Sequence, residues 1–232
     1  MDDKDLLYIE DAHHRKLFYR FTPAAIISNF VPLLVILHDE GGEFAPNFEY
    51  KMWNILTPLD NYGYDNRGSF WLGENGDFFV KDLLQTLIQE IAEEHECEDH
   101  IYLYGDGMGG YGAILHGILA KANTVFVHSP HIRLQETAKK ECYTSVFAQT
   151  LSKETDLTNL LNPGDPFPLF YLCDTANSSE GEIQYFVNAC QKHAIKVHLD
   201  FCPASEDDEL KSLKMLLDML ERMTHTSENI YR

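Results

Sequence analysis

The stretch His100 to Gly117, HIYLYGDGMGGYGAILHG, constrains the fold more than any other part of this chain. A short apolar run of strand type passes directly into a helical run, and Gly105, Gly107, Gly109 and Gly110 crowd the junction. Glycine has no Cβ, so such a junction accepts backbone angles that other residues resist. It also lets a strand and a helix approach until their backbones touch. This chain therefore builds strands that feed helices, with at least one sharp turn between them.

The rest of the sequence follows that plan. Short apolar runs at LLYIE, KLFYRF, PLLVILH, MWNIL, HIYLYG, TVFVHS, PLFYLCD and KVHLDFC give eight candidate strands. The first two lie too close together for a crossover helix, so an antiparallel hairpin is expected at one edge. From Leu33 onward strands alternate with helical patterns at 78–95, 109–121, 180–193 and 206–223. The first of these carries Phe79, Leu83, Leu84, Leu87, Ile88 and Ile91 on one face. This predicts an α/β fold with an eight-stranded, mostly parallel sheet covered by helices on both faces. Residues 131–166 contain helical pieces followed by NPGDPFP and read as a small lid insertion. With 232 residues and 44% apolar content, one domain over 1–232 is expected.

A formal net charge of -19 disfavours nucleic acid and anionic membrane surfaces as partners. The longest apolar stretch, AAIISNFVPLLVIL, is interrupted by Asn29 and Pro32, and MDDKDLL is acidic where a secretory signal is basic, so no membrane insertion is expected. Five cysteines, at 97, 142, 173, 190 and 202, lack paired metal spacing. They predict a reduced, cytoplasmic chain with neither metal nor cofactor.

The glycine turn half-fits two motifs. As G-x-G-x-x-G, through Gly105, Gly107 and Gly110, it resembles a dinucleotide-binding turn. That motif belongs after the first strand and wants an acid at the end of the next one, where TVFVHSP offers His128 and Ser129 instead. As G-x-S-x-G it resembles the nucleophile elbow of an α/β-hydrolase, with Gly105 and Gly109 at the small positions and Gly107 where the serine belongs. Its place after the fifth strand suits this second motif. The triad acid is then expected at Asp174, after the seventh strand, and the base near Ser205, after the eighth, which is not a histidine. Two altered positions point to natural loss of catalysis rather than to one engineered substitution. Backbone donors for an oxyanion are expected at Met108 and in the loop holding Asp39 and Glu40. His38, Tyr64, Trp71, Asp106, His128 and His131 are expected to line the pocket.

The segments LDNYGYDNRGSFWLGENGDFFVKDLLQTLIQEI and IYLYGDGMGGYGAILHG resemble the hydrolase domains of bacterial surface-polysaccharide proteins of the XcbB/CpsF type and of accessory secretion protein Asp2. The likeness covers about residues 30–130, and the remainder as strand order. It implies an α/β-hydrolase fold, an esterase or acyltransferase ancestry acting on carbohydrate, and carbohydrate or glycan-assembly proteins as partners. The family's serine falls on Gly107 and its acid on Asp174, whereas its histidine falls near Ser205. The resemblance thus implies a degenerate member that binds or scaffolds.

Competing readings stay open at this stage. A working carbohydrate esterase or acyltransferase could use Ser129 with His128 or His131, although Ser129 before Pro130 also reads as a turn. A dinucleotide-dependent oxidoreductase is a third. The loop holding Tyr62, Tyr64, Phe70 and Trp71 suits sugar hydroxyls, or its aromatics plug the core between glycine turns. EEHECEDH, with His95, Cys97 and His100, reads as a solvated helix end, and His13 and His14 as a turn. The leucines of 206–223 read as core.

Overall fold

The computed structural model describes residues 6–26, 31–41, 50–134, 155–175 and 181–202, with the backbone alone at 174, 175, 201 and 202. The chain divides into Met1–Cys202 and Pro203–Arg232, and all described residues belong to the first unit. The helix expected over 206–223 and the position of Ser205 lie outside the described residues.

All eight expected strands form: β1 (Leu7–Glu10), β2 (Lys16–Thr22), β3 (Leu33–Leu37), β4 (Asn54–Leu59), β5 (Ile101–Asp106), β6 (Thr124–His128), β7 (Leu169–Thr175) and β8 (Val197–Cys202). They make one sheet in the order β1-β2-β4-β3-β5-β6-β7-β8. The β1–β2 and β2–β4 pairs are antiparallel, and the rest are parallel. The hairpin turns on Asp11, whose Oδ1 accepts from the N–H groups of His13 (2.8 Å) and Arg15 (3.0 Å), with His14 at φ 62°. Every residue of β3 is buried, as a central parallel strand covered on both faces requires.

Among the described residues three α-helices follow their strands: α1 (Phe79–Glu94), α2 (Gly107–Leu119) and α3 (Glu182–Lys192). The apolar face of α1 is buried as its spacing predicts. Helix α2 begins two residues earlier than expected, because the glycines that hide its periodicity belong to it. The two ends of the 131–166 excursion meet at an Arg133–Asp156 bridge, and Leu157 N–H donates to Ile132 O (3.1 Å). Glu182 at the start of α3 fastens this neck, accepting from the N–H groups of Ile132 (3.1 Å) and Arg133 (2.8 Å) and from Arg133 Nε (2.9 Å). Residues 135–154 of the excursion lie outside the described residues.

Among the described residues no helix is long and apolar enough to cross a membrane. Cys97 and Cys190 are free and buried, and burial pushes their thiols up to about 11 and about 12. Cys173 is disulfide-bonded, where the sequence reads as a fully reduced chain.

Candidate functional site

The carboxyl ends of β3, β5, β6 and β7 share one edge of the sheet, and the glycine turn stands among them. Leu37 of β3 pairs with Gly105, Asp106 with His128, and His128 with Cys173. A Cβ at Gly105 would run into Gly109 O and lie 2.7 Å from Gly110 N. One at Gly109 would run into Leu37 O and lie 2.7 Å from His38 O. Both glycines are therefore demanded by backbone contact among β3, β5 and α2. Between them Gly107 has φ 48°, a left-handed angle that glycine adopts without the side-chain penalty.

The space beside Gly107 is filled by Asp39. A Cβ at 107 would fall on Asp39 Oδ1 and lie 2.7 Å from its Cγ and 2.8 Å from its Oδ2. Asp39 Oδ1 accepts from Met108 N–H at 2.7 Å, across 69 positions of sequence. Met108 lies in the first turn of α2, where an amide has no acceptor in its own helix, so this carboxylate serves as its partner. Desolvation against the turn raises the Asp39 pKa, and Asp106 and Glu40 add to the rise. The N–H groups of Met108 and Glu40 act against it. Sequence places Asp39 and Glu40 here as a loop of backbone donors. In the structure the Asp39 side chain is an acceptor for such donors.

A buried network presents that carboxylate. Asp60 N–H donates to His38 Nε2 (2.9 Å), so the His38 proton sits on Nδ1, which donates to Asp39 O (2.6 Å). Burial lowers the His38 pKa against its bond to Asp39 O and the charges of Asp60 and Asp39, which keeps the ring neutral. Asp60, itself completely buried, accepts from Ser69 N–H (2.7 Å), Ser69 Oγ–H (3.0 Å) and Trp71 N–H (2.8 Å). Burial raises its pKa, while these donors and His38 oppose the rise. Gly41 N–H donates to Arg67 O (2.9 Å) and ties the far side of the Asp39 loop to the same neighbour.

Of the expected pocket residues, the structure gathers Asp106, His128 and His131 at the turn. His128 Nδ1 lies 3.1 Å from Asp106 Oδ1, an ion pair whenever the imidazole is protonated. His131 N–H donates to Gly107 O (3.3 Å), and its ring meets Phe70 edge-on at 5.6 Å. Ser129, at φ 41°, donates its N–H to Cys173 O (3.0 Å). His38 is part of the supporting network. Trp71 is 0% exposed and, with Phe70, belongs to the core, so these two aromatics plug the fold instead of offering a face to a ligand. Tyr64 is 56% exposed on a short 3-10 turn. Asp174 stands at the end of β7, as expected, but its side chain lies outside the described residues.

Sequence reasoning missed His116. It lies fully buried in α2, where Gln85 Nε2 donates to its Nδ1 (2.7 Å) and its Nε2 reaches Trp71 O (3.2 Å). Burial lowers its pKa to about 3, so it is a neutral clamp on the loop after β4. A histidine inside the apolar run ILHGIL is the signal that could have found it.

No protein-family model matches this sequence, and no curated protein matches it. Solved structures do. A capsule O-acetyltransferase of Neisseria meningitidis serogroup A is similar at TM-score 0.73 and 15% identity, covering 95% of each chain. FphF, a fluorophosphonate-binding serine hydrolase of Staphylococcus aureus, gives TM-score 0.68 at 13% identity, over 92% of this chain and 96% of that one. The Glycosylation Associate Protein (Gap123) complex of Streptococcus agalactiae gives TM-score 0.66 at 16% identity, over 95% of this chain and 46% of that one. The dinucleotide-binding alternative expects a doubly wound sheet with its glycine turn after the first strand, and this sheet has another order. Strand order, the antiparallel edge hairpin and these likenesses agree that the chain has the α/β-hydrolase fold.

Proposed function

We propose that this chain is a degenerate α/β-hydrolase that works by binding or scaffolding, alongside enzymes that build or acylate surface glycans. One observation carries the proposal: the turn that would serve as the nucleophile elbow holds Gly107, and the carboxylate of Asp39 lies where a side chain from that position would begin. Acyl transfer through an elbow needs a nucleophile there and free amide donors for the oxyanion. Gly107 supplies no attacking atom, and Met108 N–H already has an acceptor. Position 205, where the base is expected, is serine. The glycan setting is supported by the sequence resemblance and by two structural neighbours, a capsule O-acetyltransferase and a glycosylation-associated complex.

The test is covalent labelling of the full chain with a fluorophosphonate probe, together with hydrolysis of p-nitrophenyl acetate and an O-acetylated sugar. No adduct and background hydrolysis are expected. A stoichiometric adduct, or ester turnover well above background, overturns the proposal. A second reading, in which Ser129 is the nucleophile, is supported by the 3.1 Å approach of His128, its neighbour in sequence, to Asp106. Turnover abolished by Ser129→Ala would select it.

A further inference from the structure

We propose that Asp39 is a built-in occupant of the β5–α2 turn, an autoinhibitory contact by which the chain closes its own site to acyl groups and crowds the place a side chain at 107 would take. The inference rests on the preceding reading of Gly107 and adds a cause for the site's closure.

Three observations support it. The Asp39 carboxylate overlaps the place a Cβ on residue 107 would take, so positions 39 and 107 compete for one volume. Its Oδ1 takes the Met108 amide, the donor that follows the elbow position and that an acyl oxygen would need. The contact is also held from behind. Asp39 O is bound by His38, His38 by the Asp60 amide, and Gly41 by Arg67 O, so the backbone on both sides of the carboxylate is fixed. Asp60 anchors this support in the core through Ser69 and Trp71. A side chain presented by such a frame is a constructed contact. It follows that a side chain at 107 must first displace the carboxylate, which swings away only by giving up the Met108 amide.

Two measurements on the full chain test this. The first is amide exchange at Met108 in wild type, Asp39→Ala and Asp39→Asn. The Met108 N–H has no acceptor within its helix, so Asp39→Ala should speed its exchange by roughly tenfold or more. Asp39→Asn, which keeps a carbonyl oxygen, should restore part of the protection. The second is the loss in Tm on Gly107→Ala, measured with Asp39 present and in the Asp39→Ala background. The left-handed backbone penalty is common to both, so the difference isolates the collision. The loss should be larger with Asp39 present, by on the order of 3 °C or more. Unchanged Met108 exchange in Asp39→Ala, or equal Tm losses in the two backgrounds, overturns the inference. A fluorophosphonate adduct on the wild-type chain would instead overturn the proposed function, and neither readout here depends on that result.

Discussion

The loop after β4 and the turn after β5 both drive backbone into the left-handed region at the same edge of the sheet, yet they accommodate it in opposite ways. In the loop, Phe70 and Trp71 adopt φ 56° and 59° with full-size side chains, both completely buried. Such angles cost on the order of 1–3 kcal/mol each and persist only where the surroundings over-determine them. Asp60 does this from one side by accepting the Ser69 and Trp71 amides, and His116 from the other by holding Trp71 O. In the turn, Gly107 adopts φ 48° with no side chain to strain. Where an aromatic fills the core, the fold holds the strain with buried hydrogen bonds. Where no side chain is used, glycine removes it.

That contrast can be broken from its most heavily bonded end. Asp60→Ala strips the acceptor from two buried amides and a buried hydroxyl, and should destabilise the chain by about 3–5 kcal/mol in urea unfolding. Near-ultraviolet circular dichroism should change as well, as Trp71 loses its fixed setting. A loss below about 1 kcal/mol would mean that packing alone holds the loop. Gly109→Ala comes next, at roughly 3 kcal/mol, because its methyl would press on the carbonyls of Leu37 and His38, which are backbone and cannot swing away. Urea midpoints measure this loss, and near-neutrality would show that α2 can slide off β3.

The third test uses pH. His116 has a folded pKa of about 3, below the unfolded value of about 6.5, so the unfolded chain binds the extra proton between those limits. Stability from this residue is complete above about pH 6.5 and is lost as pH falls toward 3, amounting to about 2 kcal/mol by pH 5. Unfolding at pH 7 and pH 5 should show that loss in wild type, and His116→Gln should show a flatter profile. The smallest effect sharpens the comparison at an exposed site. Lys121 follows α2 at φ 53°, with Ala122 N–H donating to Gly117 O (2.9 Å), a helix-ending turn that glycine suits. Lys121→Gly should gain about 0.5–1 kcal/mol, since no packed side chain is given up there.

Much of this architecture was legible in local patterns. The eight strands, the edge hairpin with its turn at His13 and His14, and the β5–α2 junction each follow from alternation, helical spacing or turn residues within a short window. Gly105 and Gly109 announced backbone contact before any partner was visible. The candidate site was less legible. Asp39 reads as one acid in the loop HDEGG, and only its backbone suggested a role. Trp71, set among Gly, Asn and Asp, reads as well as a sugar platform as a core residue. His116 hides inside an apolar run.

The sequence by itself determined the order of strands and helices, the sharp glycine turn, and the absence of an attacking group at position 107, because each depends on neighbours along the chain. Only the tertiary structure decided that Asp39 fills the space beside Gly107, that Asp60 and His38 hold it there, and that Trp71 belongs to the core. The reason is physical. A carboxylate has no preferred partner until folding removes it from water, and the amide that Asp39 finds is 69 residues away.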